Sequence, residues 1–142
     1  MDQTRRDWAL LLPALLSSPV KGERPKLPSS VYKFEELTPK PNGENVGRSV
    51  CDGLNRSGVE IELHETALAP GRMSHEAHRH RHVELVLLRE GTLEVTIDGN
   101  ATTLGPGGIA YFGSNCLHGA RNIGSGHAQY FVISLDKDQD PK

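Results

Sequence analysis

Four of the seven histidines fall at positions 75, 78, 80 and 82, within the run from Ser74 to Glu84, and a fifth, His118, lies well downstream. Imidazole is the commonest side-chain ligand for borderline divalent metals and the side chain that exchanges protons near neutral pH. In an extended chain, residues two apart project from the same face. His78 and His80 would then stand about 7 Å apart and converge on one ion. Glu84 shares their parity and adds a carboxylate oxygen if the chain turns around Arg81 to Val83, while His118 can close the set from an opposite strand. His82 has the same parity and is a rival or auxiliary ligand; His75 reads as part of a solvated loop. Arg79 and Arg81 alternate with the histidines and are expected to be exposed charges rather than substrate clamps.

Such a set needs rigid elements to hold it, and the flanking sequence reads as short strands. Val59, Ile61 and Leu63 alternate with Glu60, Glu62 and His64, the pattern of a strand with one face on the core and one on solvent. Val83 to Leu88 carries apolar residues on both faces, as a strand enclosed by other layers does. Leu93, Val95 and Ile97 alternate again, Asp98-Gly99 is a hairpin turn, and Thr102 to Leu104 returns. Gly105-Pro106-Gly107-Gly108 breaks the chain before strands at Ile109 to Phe112 and Gln129 to Leu135. Tyr111, Phe112, Tyr130 and Phe131 are expected to pack within the sheets. About eight short strands separated by turn signals predict an antiparallel sandwich or barrel, with a jelly roll among the leading candidates.

Composition narrows the function classes. A chain of 142 residues makes one domain. Sixteen Lys and Arg against eighteen Asp and Glu give a formal charge of −2, so no overall positive field exists to hold a phosphate backbone, and nucleic acid is not an expected partner. No apolar run approaches the ~18 residues that would span a bilayer. Two cysteines, Cys51 and Cys116, lack metal-site spacing and read as semi-buried thiols.

The spacing Gly71-(x6)-His78-x-His80-(x3)-Glu84-(x6)-Gly91, followed by Gly107-(x5)-Gly113-x-Asn115-(x2)-His118-(x3)-Asn122, resembles the two ordered motifs of the cupin superfamily. The resemblance implies an all-β fold, an antiparallel RmlC-like jelly roll (double-stranded β-helix) closed into a single-domain cupin barrel. It also implies one divalent metal near the barrel mouth, held by three His and one Glu that match His78, His80, Glu84 and His118 one for one. One extra residue between Gly71 and His78, Gly113 in place of the usual Pro and Asn115 in place of the usual Gly depart from the pattern in turns and remove no ligand. Asn122 is expected either to orient a ligand or to stabilise its turn.

Mixed nitrogen and oxygen donors favour Mn, Fe, Ni, Co, Cu or Zn over Ca or Mg and do not choose among them. An octahedral ion with four protein ligands keeps two positions open, which suits a small metal-dependent enzyme of hydrolase, isomerase or dioxygenase type. Its substrate would be a small, oxygen-rich chelating molecule. The same site could serve a non-catalytic ligand-binding or sensing module, or clamp strands without further function.

The chain divides into residues 1–18, residues 19–30, the barrel at residues 31–136 and a charged tail at residues 137–142. The first segment places Arg5-Arg6 before the short apolar stretch from Trp8 to Leu16, a layout resembling a twin-arginine export signal and implying a periplasmic protein. The alternative is a short N-terminal arm on a cytoplasmic one. Residues 19–30 read as a Pro- and Lys-rich linker or extended arm. Similar barrels commonly pair, so a homodimer is expected, with residues 31–37 as the exchanging arm.

Overall fold

The structure, a computed structural model, describes residues 24–137. The export-signal segment at residues 1–18, the first part of the linker and all but the first residue of the tail lie outside them. Nine strands run in order: β1 (Lys40–Asn42), β2 (Asn45–Leu54), β3 (Val59–Leu68), β4 (Val83–Glu90), β5 (Leu93–Ile97), β6 (Asn100–Leu104), β7 (Ile109–Phe112), β8 (His118–Asn122) and β9 (Ala128–Lys137). They form a six-stranded sheet ordered β1-β2-β3-β9-β4-β7 and a three-stranded sheet ordered β6-β5-β8. Every ladder is antiparallel. The β5–β6 hairpin turns at Asp98 and Gly99, whose φ of 46° and 85° are the paired positive values of a type I′ turn.

The strands expected from apolar alternation are all present, and β1 and β2 join them ahead of Val59. Their sequence, notably Asn45-Val46-Gly47-Arg48-Ser49, has little apolar alternation to announce a strand. The only helical element among the described residues is a 3-10 turn at Phe34–Glu36. Arg24 to Leu27, within the stretch read as linker or extended arm, runs beside β2: the Leu27 N–H donates to the Leu54 carbonyl at 2.9 Å and the Leu54 N–H to the Pro25 carbonyl at 2.9 Å. Gly53 permits that approach, since a Cβ there would sit 2.4 Å from the Pro25 carbonyl oxygen.

The face assignment of β3 is corrected. Glu60, Glu62, His64 and Thr66 are half-buried and line the cavities of the barrel mouth rather than an outer surface. The same side of the strand ends at Leu68, fully buried in the core. Strands β4 and β9 show the same gradient, from Glu84 to Val86 and Leu88, and from Asp136 and Ser134 to Val132 and Tyr130. The barrel is apolar at its closed end, where Leu68, Leu88, Leu93, Val95, Phe112 and Val132 pack together, and polar at its mouth. Of the four aromatics expected to pack inside, Phe112 and Tyr130 do so, while Tyr111 on the edge strand β7 is 59 % exposed.

On the outer face, Glu65 of β3 is fully buried and pairs with its cross-strand neighbour Arg48 at 2.8 Å. The Phe34 ring lies over the Arg48 and Arg89 guanidiniums, 4.9 and 4.7 Å from its centroid, so the N-terminal segment packs against this ion pair.

Two substitutions test these packings. Arg48→Ala leaves the Glu65 carboxylate buried and unpaired and should lower unfolding stability by about 3–5 kcal/mol. Gly91→Ala forces a side chain onto a φ of +90° and 2.7 Å from the Ala128 Cα, with an expected loss of about 2–4 kcal/mol. Urea titration reads both, and a loss below about 1 kcal/mol in either would contradict the corresponding packing.

Candidate metal centre

The segment carrying His78 and His80 is a loop, not a strand as its parity suggested. Its one ladder-like contact is a bridge in which the His78 N–H donates to the His118 carbonyl at 3.0 Å and the His118 N–H to the His78 carbonyl at 3.1 Å. The Asn115 N–H donates to the His80 carbonyl at 2.7 Å, and an Arg79 N–H to the Asn115 carbonyl at 2.7 Å. These bonds stitch the histidine loop to the entry of β8. Glu84 reaches the same place from β4, in the other sheet.

The four residues singled out from the sequence lie together. Ring centroids of His78 and His80 are 5.0 Å apart, of His78 and His118 4.9 Å, and of His80 and His118 4.6 Å. One nitrogen from each of the three lies within 4.8 Å of the others, a grouping that could hold a metal ion. Glu84 places one oxygen 3.3 Å from His80 Nε2 and the other 3.9 Å from His118 Nε2. Two ligands bonded at about 2.1 Å to one ion stand about 3.0–3.5 Å apart when adjacent and about 4.2 Å apart across it, so the 3.3 Å separation suits adjacent ligands of a shared ion and the 3.9 Å one lies between the two limits.

The hydrogen bonds fix which nitrogen faces inward. The Nδ1–H of His78 donates to the Glu76 carbonyl at 3.2 Å, that of His80 to the His82 carbonyl at 2.9 Å and that of His118 to the Cys116 carbonyl at 3.0 Å. A carbonyl only accepts, so Nδ1 carries the proton and Nε2 of the neutral ring is a lone pair. The Nε2 atoms of His80 and His118 are buried and have no hydrogen-bond partner. A lone pair 3.3 Å from a carboxylate oxygen is an acceptor facing an acceptor, which only a proton or a cation between them reconciles. The donor set therefore fits a metal ion.

Phe112 stacks on His118 with centroids 4.2 Å apart and 18° between planes, backing the buried ring against the core. Burial, then repulsion from His75, holds the His78 pKa below the usual imidazole value. Burial, then His80, does the same to His82.

His82 lies nearer the site than a solvated loop position. Its ring stacks on His80 at 3.6 Å, its Nε2 is 3.8 Å from Glu84, and His80, His82 and Glu84 make a second grouping that could hold an ion. His75 is exposed, edge-on to His78 at 4.1 Å, and belongs to neither grouping. Asn122 serves its turn: its amide donates to the Leu68 and Gly126 carbonyls and its oxygen accepts from the Gly124 N–H. Cys51 and Cys116 are free thiols, half-buried.

Beside the cluster opens a cavity of about 460 Å³ whose walls include Arg24, Glu60, Glu62, His64, Ser134 and Asp136. None of these six was singled out as a site residue from the sequence, although the β3 alternation already put Glu60, Glu62 and His64 on one face. The His64 Nδ1–H donates to both Glu62 carboxylate oxygens, at 2.8 and 3.0 Å, and that bond raises the His64 pKa.

Comparison with known proteins agrees with this architecture. The profile of the cupin domain family (Cupin_2) matches residues 64–134. An RmlC-like cupin from Shewanella frigidimarina superposes with a TM-score of 0.62 at 20% identity, covering 79% of this chain and 96% of its own. A protein from Thermotoga maritima described as a predicted oxalate decarboxylase gives 0.62 at 16% identity, covering 75% of this chain and 98% of its own. The Cupin_2 domain of an XRE family transcriptional regulator from Enterobacter cloacae gives 0.54 at 25% identity, covering 63% and 94%. Among curated protein sequences none matches significantly. With both motifs, the two-sheet barrel and the family profile in agreement, the chain belongs to the cupin domain family.

Proposed function

We propose that the chain holds one divalent transition metal through His78, His80, Glu84 and His118, and that it is a small metal-dependent enzyme acting on a small, oxygen-rich chelating molecule. The observation that carries the metal reading is the pair of buried, partnerless Nε2 lone pairs on His80 and His118, turned toward the Glu84 carboxylate. An ion bound there supplies Lewis acidity to a coordinated oxygen and lowers the pKa of coordinated water. The backbone carbonyls of Glu76, His82 and Cys116 keep the three rings in the ligating tautomer.

The adjoining cavity, about 460 Å³, has the volume of a small-molecule site. His64 and Glu62 favour turnover over passive holding. Glu62 occupies His64 Nδ1 and leaves Nε2 as the ring nitrogen that can give or take a proton at a ligand in the cavity. A second reading, a non-catalytic ligand-binding or sensing module, draws on the regulator domain among the structural neighbours.

Purified protein should carry about one transition metal per chain by elemental analysis. His80→Ala should abolish or greatly weaken uptake, whereas His75→Ala should leave it intact; equal loss in both would refute the ligand assignment. Chelation should leave the β-sheet circular dichroism in place, because the apolar cluster at the closed end holds the barrel independently of the ion; collapse on chelation would mark a structural clamp instead. We also propose that two copies pair through residues 31–37, where Val31 is 88 % and Tyr32 44 % exposed. Light scattering should then give twice the chain mass, and a monomer would remove the idea.

A further inference from the structure

We propose, resting on the metal reading above, that the ligand of this cavity is an uncharged, hydroxyl-rich molecule, a vicinal diol or hydroxyketone of about monosaccharide size, and not a carboxylate. The register of the large sheet sets the argument. Glu60 pairs with Asp136, Glu62 with Ser134 and Ser134 in turn with Glu84, so these carboxylates share the cavity wall in two adjacent rows. Strands lie about 4.8 Å apart, which puts the Glu62 and Glu84 backbones about 10 Å apart with the Ser134 hydroxyl between them.

Carboxylates only accept hydrogen bonds. His64 already donates to Glu62 and Arg81 to Asp136, so what is left for a ligand is Glu60 and the remaining lone pairs of the other two, and it meets them by donating, as hydroxyl groups do, while two of its oxygens chelate the ion. His80, whose buried Nε2 lone pair has no partner, lines the same cavity together with Glu84 and marks its metal-facing end.

The cations near the wall are already committed. The Arg24 guanidinium is bonded to Asp52 and stands 3.6 Å from Glu60, and Arg81 is bonded to Asp136 at 2.6 Å. Among the described residues, no unpaired Arg or Lys lines the cavity to receive a ligand carboxylate. An anionic chelator would bring acceptors to acceptors and negative charge to four carboxylates; a polyol would bring neither. Glu60 and Asp136 side chains are only 18 % and 25 % exposed, so solvent does not fully screen them.

The experiment is calorimetry on the manganese-loaded full chain with two probes: the ketose fructose, which offers a hydroxyketone and vicinal diols, and the dianion malonate. Wild type is compared with Glu60→Gln/Asp136→Asn, which removes two negative charges from the wall and frees Arg81, while Arg24 keeps its bond to Asp52. The double variant should bind malonate at least about ten-fold more tightly and fructose at least about three-fold more weakly. Movement of both affinities in the same direction, no change in either, or no fructose binding by the metal-loaded wild type would overturn the proposal. Should the double variant not fold, Glu60→Gln alone is read by the same opposed shifts. Elemental analysis of each sample separates the two readings: failure to take up manganese refutes the metal centre itself, whereas full manganese with unopposed shifts refutes only the ligand class.

Discussion

The site depends on a conflict between acceptors. Three imidazoles are locked by their own backbone into the tautomer that turns a lone pair inward, and a carboxylate is brought against two of them from the opposite sheet. Without a cation this arrangement is unfavourable, since buried acceptors with no donor carry their full desolvation cost. What holds them in place is therefore strong and lies elsewhere: the His78–His118 bridge, the Phe112 stack behind His118 and the paired rows of β4 and β9 beneath Glu84. The fold keeps the donors at ligand distance, and an ion bound there would remove the conflict.

That division explains the polar-to-apolar gradient along each long strand. Residues on one side of β3 run from Glu60 through His64 and Thr66 to Leu68, and the neighbouring strands run in the same sense. The closed end supplies burial and hence stability; the mouth gives up burial to make room for chemistry. The large sheet is not left bare outside the mouth, because residues 25–27 bond along the edge of β2 and Phe34 covers the Arg48–Glu65 pair on the outer face.

Much of this was legible in the sequence. The two spaced motifs picked out the residues that the fold gathers, and the Gly- and Asp-marked turns placed seven of the nine strands, since each signal is local chemistry. The β3 alternation identified which residues share a face but assigned the polar face to solvent. Period two fixes parity only, and a barrel with a polar interior mouth reverses the usual inference. His82 was underrated because its position depends on stacking against His80, a contact invisible in one dimension. The inclusion of Asp136 and Arg24 in the cavity wall rests on tertiary register alone, as does the burial of Glu65.

The alternation of arginine with histidine between His78 and His82 shows how parity can be right for a reason other than the expected one. The residues do alternate in direction, yet the segment lacks the ladder that would enforce it. Arg79 reaches the Asn115 carbonyl and Arg81 reaches Asp136 at the end of β9, so the outward residues, exposed as expected, also fasten the loop at both ends. Long guanidinium side chains do here what strand hydrogen bonds do elsewhere, and they leave the histidine side open to a cavity. A true strand at this place would pair its backbone with a neighbour; the loop leaves the cavity open beside the imidazoles and still holds His78 and His80 5.0 Å apart, ring to ring.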